Sequence, residues 1–422
     1  MKINRLIFGA LLVMVGLAAS LSGCKKEENP NILANQQLSI VMDDWYFWYD
    51  MMPEVDYENY PSPVELLEAY RYQTLDKWSY ITTKQALASY YDEGQYVGFG
   101  FGSAFDTSNQ LWITFVFENS PFKEHGVDRG WRIAAIDGTV PSPSNVNSLF
   151  GPATAGISRS FSMLNRQGET VSFTVQKRIV TMNTVLLDTV YTTTVGKVGY
   201  FVLKGFINPT VNELNTVFSN FITQGASELI VDLRYNGGGS VDVATHLAGL
   251  IAGQIADGEI FGIFEHNDKH TQDNGSIFIT NKTLSLYLNR IIFITTDNSA
   301  SASELLINGL KPHMPVTLVG GRTYGKPVGM YGFTSVAFDW AFVPICFRII
   351  NASNEGDYYD GIPVDIEQID GINYPFGDLN EPSLNSAIAF IEGGTAKVTP
   401  VPLSEKLKYP VLKGLNAEIG AW

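Results

Sequence analysis

The feature that most constrains this chain is an alternation that begins near residue 179. Apolar runs of strand length take turns with segments of helical period. Residues 197–203 (KVGYFVL) read as a strand. Residues 208–225 read as a helix starting at Pro209-Thr210, with Val211, Leu214, Val217, Phe218, Phe221 and Ile222 on one face and Gly225 closing it. The pattern repeats as strand 228–234 (ELIVDLR), a tight NGGGS loop and helix 241–253. After a polar loop come strand 290–295, a serine-rich turn, helix 302–310 and strand 316–320. Strands separated by helices cannot be joined as hairpins, so the expected class is α/β with a mostly parallel sheet. Such sheets place chemistry in the crevice beyond the carboxyl ends of their strands. The Asn236-Gly-Gly-Gly loop and the serine cluster at 299–303 both fall there.

A chain of 422 residues is long enough for two or three domains with a substantial core. Its 45% hydrophobic and 17% charged residues are those of an ordinary globular protein. A formal charge of −15 argues against nucleic acid as a partner, since that surface rewards clustered Lys and Arg. The five histidines are scattered. His266 and His270 have the separation of helix ligands, but they sit in a polar stretch (HNDKHTQDNGS) without the glutamate of a zincin. No metal or other cofactor is expected.

The amino-terminal residues read as a targeting segment. Lys2 and Arg5 precede an apolar stretch too short to span a membrane comfortably, and Leu21-Ser22-Gly23-Cys24 follows it. This run resembles the lipobox of bacterial lipoproteins. The resemblance implies a signal peptide over residues 1–23, lipidation at Cys24 and a polar tether over 24–35. It also implies a place in the cell envelope, anchored to the outer membrane on its periplasmic or surface face. The KKEENPN segment is similar to the export signal of some Gram-negative surface lipoproteins. Cys346 is the only other cysteine, so no intramolecular disulfide is expected.

Residues 36–92 have apolar and aromatic residues recurring at three and four, with a helix start at Ser62-Pro63. They read as a small helical subdomain. Over 93–178 the pattern changes to short strands and glycine turns. Ser120-Pro121, Gly126, Gly130, the strand 133–136 and the Asp137-Gly138 hairpin together resemble a PDZ domain. Trp131 departs from that pattern, which usually has aspartate there. By this resemblance Gly98, Phe99 and Gly100 are the loop whose amides bind a peptide carboxylate.

The serine stretch (TTDNSASASELLINGLK, 295–311) admits two readings. Ser301 followed by Glu304 fits a helix capping box. The same turn, after a strand and at a helix start, also suits a nucleophile, which then needs a base. SASASE, GGRTYGK and DLRYNGGG, with GIPVD and NEPSLNSAIAFIEG towards the end, resemble the serine/lysine carboxyl-terminal processing peptidases, or tail-specific proteases. The likeness runs from about residue 36 to 393. It implies a crotonase/ClpP-like α/β peptidase domain at 179–395, with a PDZ-like β domain inserted after the helical subdomain and a carboxyl-terminal extension at 396–422. It further implies Ser301 as nucleophile and Lys326, 25 residues on, as base. The amides of Ala302 and Gly238 would form the oxyanion hole, and the substrates would be polypeptides selected by their carboxyl ends. Met330 stands where many members carry a glutamine that orients the lysine. A non-catalytic peptide-binding scaffold is the alternative from another class. A histidine base, for which His313 lies nearest in sequence, is a third.

Overall fold

The computed structural model describes residues 30–335, 338–394 and 407–422. The expected signal peptide and Cys24 lie outside the described residues. Five strands run parallel in the spatial order Gly196–Leu203, Glu228–Asp232, Ile291–Thr295, Val316–Gly320 and Ile366–Glu367. Val185–Thr193 adds an antiparallel edge strand beside Gly196–Leu203. Strand residues alternate between two apolar layers, as a period of two requires. Phe201, Leu229, Val231 and Phe293 face helices Thr210–Gln224, Val241–Ala256 and Ala302–Leu310. Tyr200, Val202, Ile230 and Ile292 face helix Pro382–Ile391 on the other side.

One part of this half departs from the sequence reading. The stretch around His266 is not wholly a polar loop. His266 ends the strand Ile260–His266, which pairs antiparallel with Gly275–Phe278 and with Ile345–Ile350, and the latter pairs with Val328–Met330. This four-stranded sheet supplies an apolar wall above the crevice. His270 stacks on Trp45 and contacts Asp44 and Asp273. Among the described residues no cluster of His, Cys, Asp or Glu could hold a metal ion.

The first helix, Pro30–Trp45, begins inside the expected tether, so at least residues 30–35 belong to the folded body. Asn35 fixes it there by donating to the carbonyls of Tyr57 and Tyr60. Helix Pro63–Tyr70 starts where Ser62-Pro63 predicted, with the Ser62 hydroxyl accepting from Val64 N. In the β domain, Phe101–Phe105, Leu111–Val116, Arg132–Ile136, Ser158–Leu164 and Thr170–Gln176 form an antiparallel sheet in that order. Gln95–Gly98 pairs separately with Arg178–Thr181, and the short helix Val146–Phe150 covers the core.

The β domain is keyed to the parallel sheet by a buried charge network. Arg129 reaches out of the β domain to Asp370 Oδ1 at 2.6 Å and to the Tyr235 hydroxyl at 2.5 Å. Asp370 also receives Arg234 at 3.0 Å, and Arg234 bonds Glu381 at 2.8 Å and Asp232 at 2.7 Å. Both guanidinium groups are about fully buried, at 1% exposure. Two cations in such a place are tolerable only while their carboxylates stay ionised. The Arg129 and Arg234 charges hold Asp370 below the usual carboxylate range despite its burial. Removing one partner of a buried pair leaves an uncompensated charge, which costs about 3–5 kcal/mol. Asp370→Ala should therefore lose about that much stability in chemical denaturation. An exposed pair such as Arg178–Glu124 should lose less than about 1 kcal/mol on Glu124→Ala.

Candidate active site

The two motifs at strand ends meet through Asn236. Its carbonyl accepts from Ala300 N and from the Ser303 hydroxyl, both at 3.0 Å, while its side-chain amide donates to Leu203 O at 2.9 Å. Ser299 is likewise structural, its hydroxyl donating to Leu233 O at 2.8 Å. Of the three serines, Ser301 is the one that lines a cavity, about 280 Å³ in volume, together with Ala302, Lys326, Gly237 and Gly239.

Ser301 is both a helix cap and a strained residue. It is the N-cap of Ala302–Leu310 and closes a capping box with Glu304, whose Oε2 accepts from Ser301 N at 2.9 Å. An ordinary N-cap is extended, whereas Ser301 has φ +55° and ψ −112°. A residue other than glycine held there costs about 1–3 kcal/mol, a kind of strain that clusters at functional sites. The cap reading and the nucleophile reading are therefore compatible.

Glu304 reaches further than the sequence indicated. Its Oε1 accepts from the Thr323 hydroxyl and from Gly325 N, both at 2.6 Å, and its Oε2 accepts from Lys326 N at 2.8 Å. One buried carboxylate thus ties the serine turn to the loop that carries the lysine. Burial raises its pKa, against the pull of these donors. Gly325 adopts φ +94°, and a Cβ there would stand 2.2 Å from Tyr359 O, so the loop admits no side chain at that position.

Lys326 is 7% exposed. Desolvation lowers its pKa below the ordinary lysine value, partly opposed by the charges of Glu418, Asp76 and Glu304. Among the described residues its Nζ has one hydrogen-bond contact, the Met330 sulfur at 3.9 Å. A thioether is a weak acceptor. Ser301 and Lys326 share the cavity without a hydrogen bond to each other in this conformation.

The expected oxyanion hole needs one correction. Gly238 does lie against Ser301, since a Cβ on it would fall 2.7 Å from Ser301 Cβ and 2.9 Å from Ala302 N. Its own N–H, however, donates to Asn236 Oδ1 at 2.9 Å in a short side-chain turn. The neighbouring N–H groups of Gly237 and Gly239 have no acceptor among the described residues. Ala302, at the first helical position, has an amide without an intrahelical partner.

Gly98, Phe99 and Gly100 lie apart from this centre, and their loop is filled. Phe99 N and Gly100 N both donate to the Trp422 main-chain oxygen, at 2.7 and 2.6 Å. Sequence reasoning missed Trp422 and Glu418, because residues 396–422 carry no motif and their partners are distant in the chain.

Residues 197–342 match the model of Peptidase family S41, and residues 34–80 match that of the Peptidase S41 N-terminal domain. The chain is 22% identical over 328 residues to a CtpA-like serine protease of Staphylococcus saprophyticus, covering 76% of this chain and 62% of that protein. It is 27% identical over 224 residues to the carboxyl-terminal-processing protease of Synechocystis, covering 52% of this chain and 50% of that one. The chain thus spans half to three-fifths of the length of these curated relatives. Among solved structures, an S41-assigned protein of Bacteroides fragilis superposes with a TM-score of 0.70 at 24% identity, over 85% of this chain and 97% of that one. The photosystem II D1 C-terminal processing protease does so with a TM-score of 0.52 at 18% identity, over 81% and 94%. Both domain models match in order along the chain, which is therefore similar in sequence to S41 peptidases, a carboxyl-terminal-processing protease among them.

Proposed function

We propose that the protein is a serine endopeptidase using Ser301 as nucleophile and Lys326 as general base. In this reading a crotonase/ClpP-like α/β domain does the chemistry, and a PDZ-like β domain selects polypeptides by their ends. The observation that carries the proposal is the meeting, in one cavity, of a serine held at positive φ and a buried lysine that forms no ion pair among the described residues. A charged lysine cannot accept a proton, and burial is what moves this one towards neutrality.

Neutral Lys326 would take the Ser301 proton as Oγ attacks the scissile carbonyl carbon. The developing oxyanion would face the Ala302 N–H and a free amide of the glycine loop, either Gly237 or Gly239. The lysine ammonium would then protonate the leaving amine, and water would hydrolyse the acyl ester through the same base. Apolar side chains at Leu305, Val328, Phe347 and Ile349 line the cavity and suit an uncharged substrate residue next to the cleaved bond. The lipobox-like run at 21–24 supports anchoring through a lipid on Cys24, hence a cell-envelope location.

Met330 favours a second reading, a peptide-binding scaffold without turnover, because it gives Lys326 only a thioether contact. Cleavage of an unstructured protein, followed by gel and mass spectrometry, separates the two. The peptidase reading expects Ser301→Ala and Lys326→Ala to lose about ten-thousand-fold in kcat/KM, whereas equal behaviour of wild type and Ser301→Ala would support the scaffold. Activity should rise with pH as Lys326 loses its proton, with a midpoint below 10.5, the ordinary lysine value. Lys326→Arg, which keeps its charge at every working pH, should be inactive throughout. Glu304→Gln exchanges an acceptor for a donor and should cost about 1–3 kcal/mol of stability. It also removes a negative charge that favours protonated Lys326, so the rising limb of its residual activity should move to lower pH.

A further inference from the structure

The segment 414–422 joins the two sites described above. Trp422, the last residue of the sequence, extends the sheet edge of the β domain. Its N–H donates to Phe101 O at 2.9 Å, and its main-chain oxygen receives Phe99 N, Gly100 N and, at 3.3 Å, the Tyr96 hydroxyl. Two loop amides thus converge at 2.6–2.7 Å on one main-chain oxygen. Trp422 is 9% exposed. It packs on Phe150 with ring centroids 4.3 Å apart and donates from Nε1 to Ser103 Oγ at 2.9 Å. Further along the same edge, Lys408 exchanges two main-chain bonds of 2.7 Å with Phe105.

Just before Trp422 the chain passes over the active site. Helix Leu415–Ile419 buries Leu415 and Ile419 against the core that contains Tyr80 and Tyr90. The Glu418 carboxylate accepts from the Tyr91 hydroxyl at 2.8 Å and from Tyr80 at 3.1 Å. Glu418 lines the Ser301 cavity. A second cavity of about 700 Å³ runs from Lys326 and Gly237 past the same segment to Ser103 and Trp422. A Cβ on Gly237 would stand 3.5 Å from Glu418 O. The segment therefore lies across the path that a polypeptide would follow from the β-domain groove to the nucleophile.

We propose that residues 414–422 are a resident internal ligand of the β-domain groove, and that the groove accepts polypeptides carrying tryptophan or a similar aromatic residue at the place of Trp422, which must displace this segment to reach Ser301. The proposal deepens the peptidase reading and rests on it for the role of Ser301. Tethering gives the internal segment a high effective concentration, so an incoming peptide competes at a disadvantage until the segment is released. Glu418 is also the leading charge that keeps Lys326 protonated, so release would shift the base towards its active form.

The test uses a fluorescent peptide with the sequence of residues 414–422 (GLNAEIGAW), titrated onto the full chain carrying Ser301→Ala. With Trp422→Ala added, the peptide should bind at least tenfold more tightly than with the segment intact. The same peptide ending in alanine should bind at least tenfold more weakly than the one ending in tryptophan. Equal affinities for the two chains, or for the two peptides, would overturn the proposal. Should Trp422→Ala not fold, amide hydrogen exchange on the segment-intact chain decides. Excess peptide should accelerate exchange in residues 415–419 while Phe99 and Gly100 stay protected, and unchanged exchange in 415–419 would overturn it. Neither readout needs turnover, so if these results hold while the chain with Ser301 intact hydrolyses nothing, the peptidase reading is refuted and the groove assignment stands.

Discussion

Glu304 is buried at the first turn of its helix, and its carboxylate accepts from Ser301 N, Lys326 N, Gly325 N and the Thr323 hydroxyl. Those donors belong to two loops that leave the ends of adjacent parallel strands, Ile291–Thr295 and Val316–Gly320. The sheet brings the strand ends side by side, Tyr324 N donates across to Ser299 O at 3.0 Å, and the carboxylate adds four bonds that fix how the loops sit against each other. A polar group so deeply buried is costly unless its lone pairs are used. Here that cost is offset by satisfying backbone amides that the turn and loop would otherwise leave unpaired. The same bonds hold Ser301 in its unfavourable backbone conformation and point the lysine into the cavity.

A second constraint acts between domains. Arg129 and Arg234 share Asp370, with Tyr235 donating to the same carboxylate. Arg234 and Tyr235 stand immediately before Asn236, which in turn anchors the serine turn. The β domain is thus registered, through a few fully buried side chains, to the loop that lies beneath Ser301. This explains how a groove in one domain and a cavity in the other can be spanned by so short a segment as 414–422.

Much of this was legible in the sequence, for identifiable reasons. The parallel core was readable because its strands and helices alternate with strong periodicity and each element is locally consistent. Ser301 and Lys326 were singled out by the resemblance of their motifs to the serine/lysine peptidases, and the structure brings them to one cavity. The four-stranded antiparallel sheet was not, since Ile260–His266 pairs with strands distant in the chain and ends in polar residues that read as a loop. The assignment of Gly238 as an oxyanion donor failed on a detail no spacing reveals, the short bond from its N–H to Asn236 Oδ1. Glu304 was visible only as half of a capping box, because its other donors come from a separate loop. Trp422 carried no signal at all, as its pocket is assembled from Phe99–Phe101, Ser103 and Phe150 only after folding.

The central claim is that Ser301 is made nucleophilic by Lys326, and covalent labelling tests it most directly. A fluorophosphonate reacts with an activated serine hydroxyl, and peptide mass spectrometry locates the adduct. The account predicts modification at Ser301 whose rate rises with pH as Lys326 deprotonates, and that falls to background in Lys326→Met while the fold persists. Labelling of another residue, or a rate at Ser301 unchanged by Lys326→Met, would contradict it.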